Sequence, residues 1–133
     1  MATFNFELVS PERVLFSGPV DAVILPATEG EMTVLAGHAP TMTTLKTGFL
    51  VVTDSPGNGM RILVRGGFAD INPDGLKVLA ERALPAEELT HEILDNEILH
   101  AQMIYDATDD ASAKHAAEAA VVQLEDAKVA LNY

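Results

Sequence analysis

Residues 4–83 consist of short apolar or alternating runs that are separated by turn residues. Alternation of apolar and polar positions with a period of two is typical of strands that bury one face. The runs follow one another at intervals of about 8–12 residues with no helical pattern between them, which favours a β-sandwich or flattened barrel over βαβ units. The predicted strands are 4–9, 13–18, 20–27, 31–36, 41–46, 49–54, 60–65, 68–72 and 76–83.

Turn residues mark the ends of these runs. Ser55–Gly59 and Asn72–Gly75 contain Asn-Gly and Asp-Gly, which tolerate the positive φ of tight loops, so both are predicted to be hairpin turns. Arg65-Gly-Gly67 stands between two predicted strands. It resembles an RNA-binding fragment only in isolation; in an acidic chain it indicates a β-bulge or a place where backbones pack closely.

After Pro85 the apolar period becomes that of an amphipathic helix. Its apolar stripe is Leu94, Ile98, Ala101 and Tyr105, flanked by Ile93 and Ile104, and its polar face carries Glu88, His91, Asp95, Gln102 and Asp106. Residues 107–110, Ala-Thr-Asp-Asp, interrupt this pattern, and Asp109 or Asp110 can cap a second helix. The small side chains of the second helix favour close packing in an antiparallel hairpin. They are Ala113, Ala116, Ala117, Ala120, Leu124, Ala127 and Leu131.

Composition places a domain boundary at the same point. All nine Gly and all seven Pro lie at or before Pro85. Residues 1–85 carry nine acids and six bases, whereas residues 86–133 carry eleven acids and two bases. The sequence therefore predicts a β + α protein, with a β-sandwich over 1–85 and a two-helix hairpin over 86–133.

Charge and composition exclude several classes of function. The 133 residues carry a net charge of −12, which disfavours binding to nucleic acid or to an anionic membrane surface. There is no Cys, hence no disulfide, thiolate metal site or cysteine nucleophile. No run approaches the roughly 18 apolar residues that cross a bilayer. The N-terminal stretch MATFNFELVS has neither the basic n-region nor the apolar h-region of a signal peptide. We expect a soluble chain with no membrane insertion, retained where it is translated, whose partners are proteins or cations.

Catalytic and metal-binding patterns are absent from the sequence. No nucleophile elbow, phosphate loop or dinucleotide-binding glycine motif occurs. Among the four His, His91 has a helical-spacing partner, Asp95, and this pair on a polar face is expected to be solvated rather than to bind a metal. We therefore predict a protein that is not an enzyme and that has no catalytic residue, cofactor or metal.

The stretch Thr28–Pro40, TEGEMTVLAGHAP, has turn residues at both ends of a predicted strand. One interpretation is that Glu29-Gly30 and Gly37–Pro40 only turn the chain. The other is that two acids at a loop tip, and an imidazole held between Gly and Pro, are exposed binding groups on a rigid scaffold.

Taken in order, six motifs resemble the ε subunit of bacterial F-type ATP synthases, whose mitochondrial counterpart is called δ. The resemblance covers residues 5 to about 84, and a helical hairpin follows where that family has one. The motifs are Val9–Gly18, Glu29–Glu31, Gly37–Pro40, Leu45–Gly48, Gly66–Asn72 and Val78–Ala80.

The resemblance implies a ten-stranded β-sandwich and two antiparallel helices in the central stalk. Such a subunit holds the rotating γ subunit and rests on the c-ring, so that proton-driven rotation reaches the catalytic sites, and it makes no ATP itself. It implies a c-ring contact at Glu29, Gly30 and Glu31, and a γ contact at His38, Ala39, Pro40 and Thr43. The hairpin could also meet the α and β subunits.

The same resemblance implies a location. The subunit would be peripheral, on the cytoplasmic face of the bacterial inner (plasma) membrane. The absence of a transit peptide favours a bacterial source, although a plastid-encoded protein would look the same.

The chain departs from the family in its helical part. Members that bind ATP carry an Ile/Leu-Asp-x-x-Arg-Ala motif early in the first helix, whereas residues 86–133 contain no Arg. We therefore expect no ATP binding, because no guanidinium group meets the phosphates. From the same departure we expect weak or absent inhibition of ATP hydrolysis by the hairpin. The alternative function is a β-sandwich module that senses a small ligand or nucleotide through the hairpin; a hydrolase is more remote, for want of a nucleophile–base pair.

Overall fold

The computed structural model describes residues 3–54 and 58–131, and the chain divides into two compact units, Met1–Ala86 and Glu87–Tyr133. In the described residues the first unit has eight strands. They are β1 (Phe4–Val9), β2 (Val14–Val20), β3 (Ala22–Ala27), β4 (Gly30–Leu35), β5 (Thr41–Thr44), β6 (Gly48–Asp54), β7 (Asn58–Asn72) and β8 (Gly75–Pro85).

The strands form one continuous sheet that folds into the β-sandwich. Their order is β2-β1-β8-β7-β6-β3-β4, and β5 pairs with β7 beside this path. Among these eight described strands, β1 and β8 pair in parallel and the other pairs are antiparallel. On one side, β7 pairs with β6 up to Val64 and with β5 from Phe68 onwards, so it takes part in both layers.

The expected strand number of ten is wrong for the described residues, and the nine runs predicted from the pattern are also one too many. Runs 60–65 and 68–72 form the single strand β7, because the pairing with β8 skips only Gly66 and resumes at Gly67 in the same register. The register is the same from the pair Ile62–Pro85 to the pair Asn72–Gly75, so no bulge separates them. Close backbone packing is the correct interpretation: a Cβ on Gly67 would lie 2.1 Å from the Leu79 carbonyl oxygen.

The core follows the predicted alternation most clearly in β1 and β8. Phe4, Phe6 and Leu8 are buried on β1, while the residues between them are partly or fully exposed. On β8 the same pattern buries Leu76 and Val78. Side chains of successive strand residues point to opposite faces, so one face of β1 and of the first half of β8 lies in the core.

One of the two predicted hairpin turns is confirmed. Asn72 pairs with Gly75, which leaves Pro73 and Asp74 as a two-residue loop between β7 and β8. Residues 55–57 of the other predicted turn lie outside the described residues, although Asp54 on β6 pairs with Asn58 on β7.

The second unit consists of two helices, α1 (His91–Ala107) and α2 (Ala111–Ala130), after a 3₁₀ turn at Ala86–Glu88. Thr90 caps α1 through the Ile93 N–H, and Asp110 rather than Asp109 caps α2 by accepting from the Ala113 N–H at 3.0 Å. Lys114 at the start of α2 donates to the Tyr105 carbonyl at the end of α1. Lys128 near the end of α2 meets Asp95 near the start of α1, so the helices are antiparallel.

The predicted apolar stripes are confirmed in part. Leu94 and Ala101 of α1 are buried, as are Ala117, Ala120, Leu124 and Ala127 of α2. Tyr105 and Ala116 are exposed, and the buried set includes Glu97, which the pattern did not indicate.

The pair His91–Asp95 lies on the surface, with the two side chains 60% and 46% exposed. Lys128 also donates to Asp95, and this hydrogen bond is the main reason why the pKa of the Asp95 carboxyl is lower than usual; nearby His91 contributes less. The three side chains therefore form an exposed network between the two helices.

Candidate functional site

The Glu29–Glu31 tip lies beside the end of β5. Thr28 connects the two: its N–H donates to the Thr44 carbonyl at 3.1 Å, and the two threonine hydroxyls are 3.0 Å apart. Glu29 and Glu31 are exposed, whereas Gly30 is half-buried. The tip is thus a fixed turn that carries two solvated carboxylates.

The turn at Gly37–Pro40 is held at the other end of β4. The Gly37 N–H donates to the carbonyl of Pro73 in the β7–β8 turn at 3.3 Å, and the His38 N–H donates to the Leu35 carbonyl. His38 Nδ1 lies 2.8 Å from the Ala39 carbonyl oxygen, so this nitrogen carries the proton. His38 is half-buried, while Ala39 and Pro40 are exposed.

Thr43 lies with the acidic tip rather than with His38. One open depression of about 780 Å³ contains Thr43 together with Glu29, Gly30 and Glu31. Its other lining residues are Ala27, Thr28, Met32, Thr41, Met42, Thr44 and Phe68. The structure therefore brings one residue of the expected γ set to the expected c-ring set, and places His38, Ala39 and Pro40 at the opposite end of β5.

A second feature is an apolar row on the outer face of the layer formed by β5, β7, β8, β1 and β2. Partner residues in register on neighbouring strands point to the same face. The row, which we call the outer row, consists of the register partners Thr44, Phe68, Leu79, Val9 and Val14. Phe68 is 39% exposed, Leu79 40% and Val14 61%, and Met42, diagonal to Phe68, is 66% exposed.

Sequence reasoning missed the outer row, although a signal was present. In the first half of β8 the alternate residues Leu76, Val78 and Ala80 are buried, so Leu79 is apolar at a position that alternation assigns to solvent. Phe68 is likewise apolar at a position that alternation assigns to solvent, because its neighbour Ala69 is buried. Apolar residues at the polar positions of several strands indicate a surface that is covered by a partner.

These surfaces carry exposed carboxylates and exposed apolar side chains. Within residues 3–54 and 58–131, no group of three or more His, Asp or Glu side chains could hold a metal ion. No helix in this part of the chain is both long and apolar enough to span a membrane. The chain offers a rigid sandwich with an acidic tip and an apolar outer face.

Residues 3–86 match the family model described as the β-sandwich domain of the ATP synthase delta/epsilon chain. The chain belongs to the ATP synthase delta/epsilon family. It is 57% identical over 96 residues to the ATP synthase epsilon chain of Sinorhizobium medicae, with 72% of each chain covered. It is 49% identical over 115 residues to that of Parvibaculum lavamentivorans, with 86% of this chain and 87% of the relative covered.

Solved structures agree with this assignment. A chain of the mitochondrial ATP synthase of Euglena gracilis, solved with its F1 and c-ring, is 29% identical, with a TM-score of 0.76 over 98% of this chain and 82% of that one. A chain from the central stalk and c-ring of Tetrahymena thermophila is 14% identical, with a TM-score of 0.64 over 95% and 96%, and supports the fold alone. The epsilon chain is a non-catalytic subunit of the central stalk of this membrane-associated complex.

Proposed function

We propose that this epsilon-type subunit couples the rotation of the c-ring to the γ subunit, with its outer face on γ and its acidic tip on the c-ring. The outer row is the observation that carries the proposal. It exposes Phe68 and Leu79, which pair across β7 and β8, and Val14 on β2, which is connected to Leu79 through the half-buried Val9 across an irregular step in the β1–β2 pairing. Burying such a row against a partner is favourable, because apolar surface leaves water.

The residues that the family resemblance assigns to γ lie around this face. The hydrogen bond from Gly37 to Pro73 holds the turn with His38, Ala39 and Pro40 beside the β7–β8 turn, at the border of the outer face. Thr43 lies on β5, the strand at the same border, but it pairs with the buried Ala69 and so is on the opposite face of the strand from the outer row. The γ contact therefore extends from the β7–β8 turn along β5 and across the outer row.

The acidic tip is suited to a different partner. Glu29 and Glu31 are exposed, and no cationic side chain lines the depression next to them. Carboxylates of this kind complement the basic and polar groups of c-ring loops. A subunit in this position is peripheral, on the cytoplasmic face of the bacterial inner membrane.

Substitution of Glu31 tests the c-ring contact. Glu31→Gln keeps the shape and removes the charge, so we expect the affinity for a rotor of γ and c-ring to fall by about tenfold at low salt and by less at high salt. Coupled ATP synthesis should fall with it, while the thermal midpoint shifts by only about 1 °C, since Glu31 is exposed.

Glu12→Gln is the matched control, because Glu12 is also exposed but lies in the β1–β2 connection, away from the tip. Lower thermal stability of Glu31→Gln with unchanged coupled synthesis would mean that Glu31 serves the turn and not the c-ring.

We also propose that the hairpin neither binds ATP nor strongly inhibits hydrolysis. Its only two Lys residues are engaged within the hairpin: Lys114 donates to the Tyr105 carbonyl and lies over the Tyr105 ring, and Lys128 meets Asp95. Eleven acids in the same segment repel both phosphates and an acidic partner.

Removal of residues 87–133 should leave the ATP hydrolysis rate of the assembled complex within about twofold of the full-length form, because no cation is available for an acidic partner. A large rise in hydrolysis would show that the hairpin inhibits. Calorimetry of the full chain with ATP is expected to show no micromolar binding, and a micromolar Kd would favour the nucleotide-sensing alternative.

A further inference from the structure

Two large apolar side chains lie on the predicted polar face of α1. Leu99 is 55% exposed and Met103 is 59% exposed. They are one turn apart, so they are neighbours on the helix surface. Ala101, between them in the sequence, is 0% exposed, and residues two positions apart on a helix point in nearly opposite directions. Leu99 and Met103 therefore face away from the buried side of α1.

Exposed carboxylates lie one turn beyond each end of this pair. Asp95 precedes Leu99 by one turn, and Asp106 follows Met103 by one turn. We call these four residues the α1 stripe. Asp95 already pairs with Lys128 of α2, whereas α1 itself contains no Lys or Arg. The α1 stripe is thus an apolar pair between two carboxylates.

We propose that the α1 stripe binds a basic amphipathic helix of a partner protein other than γ. Apolar residues of such a helix cover Leu99 and Met103, and the flexible side chain of Met103 adapts to the shape of its partner. Lys or Arg residues of the same helix lay their aliphatic parts along this pair and place their charges at the carboxylates. The inference is independent of the proposed function, which assigns γ and the c-ring to surfaces of the first unit.

Charge and apolar exposure together determine the occupant. Residues 86–133 carry eleven acids and two bases, so this unit attracts a cationic segment and repels an acidic one. A second copy of the chain carries the same excess of acids, and an anionic membrane surface is repelled for the same reason. The apolar pair disfavours a purely ionic partner, because only an apolar surface removes it from water. A helix that is both basic and amphipathic meets both conditions.

A synthetic peptide is the probe, with about 18 residues of Leu and Lys arranged so that one face of a helix is apolar. It is titrated into the full-length chain, both free and saturated with γ, and the NMR signals of the methionine methyl groups are followed. We expect the Met103 signal to shift in both samples and the Met60 signal, from β7, to stay in place. A peptide of the same composition in scrambled order should bind at least about tenfold more weakly.

Substitutions locate the contact. Met103→Ser should lower the affinity for the amphipathic peptide by about tenfold, because it removes one side chain of the apolar pair. Val129→Ser is the matched control, because Val129 is 75% exposed near the end of α2, which meets the start of α1. Both side chains are exposed, so each change should shift the thermal midpoint by about 2 °C or less. Asp106→Asn should weaken binding several-fold at low salt and less at high salt.

Each outcome decides the inference. Binding of the amphipathic peptide to the γ-saturated chain, weakened by Met103→Ser and not by Val129→Ser, supports it. Equal binding of the scrambled peptide would show that charge alone attracts the probe, and this result would overturn the inference. Displacement of the peptide by γ would assign the α1 stripe to the stalk and would overturn it as well. An unchanged affinity in Met103→Ser would place the contact elsewhere on the chain.

Discussion

Gly67→Ala is expected to lower the free energy of unfolding of the β-sandwich by about 3 kcal/mol or more. A Cβ at this position would lie 2.1 Å from the Leu79 carbonyl oxygen and 2.8 Å from the Ala80 Cα, which are main-chain atoms that cannot rotate away. The φ angle of +118° adds strain for any residue with a side chain. For a unit of this size, the thermal midpoint should fall on the order of 10–20 °C.

Gly59→Ala is the control on the same strand. No heavy atom lies within 4 Å of a Cβ built on Gly59, so we expect little change in the midpoint. Denaturant unfolding of both variants measures the difference. Equal stability of the two variants would show that β7 and β8 can separate at Gly67 without cost, and the account of β7 as one close-packed strand would fail.

Phe68→Ser combined with Leu79→Ser should weaken binding of the γ subunit by about 100-fold, which corresponds to about 3 kcal/mol. Both side chains lie in the outer row and are about 40% exposed, so their replacement removes apolar contact area from the proposed interface. Because neither belongs to the buried core, the free energy of unfolding should change much less than the affinity.

Leu35→Ser is the matched control, because Leu35 is 56% exposed on β4, outside the outer row. Titration calorimetry of each variant with γ, together with thermal unfolding, separates binding from stability. If Leu35→Ser weakened γ binding as much as the double variant, the γ contact would lie on β4 rather than on the outer face.

The local features of this chain were predictable because their causes lie within a few residues. The Asn72–Gly75 turn, the Asp110 cap and the buried alternation of β1 each depend on neighbouring residues. The position of Thr43 was not predictable in this way. It depends on the contact between Thr28 and Thr44, which are sixteen residues apart.

The strand count shows the same limit. Two glycines after Arg65 end a strand in most contexts, and only the pairing with β8 shows that β7 continues through them. The outer row depends on residues that are even farther apart in the sequence, because strand pairing aligns Val9 with Leu79 and Leu79 with Phe68.

The sequence by itself determined the two-part organisation, the β and α character of each part, and, through its ordered motifs, the family. The period of the apolar positions, the turn residues and the spacing of the motifs are local properties, so they can be recognised in the sequence without knowledge of the fold. Only the tertiary structure decided which exposed residues act together, because strand register sets the neighbours of each side chain, and a shift of one residue would turn Phe68 and Leu79 into the core. The two ends of the stretch Thr28–Pro40 thus lie at opposite ends of β5.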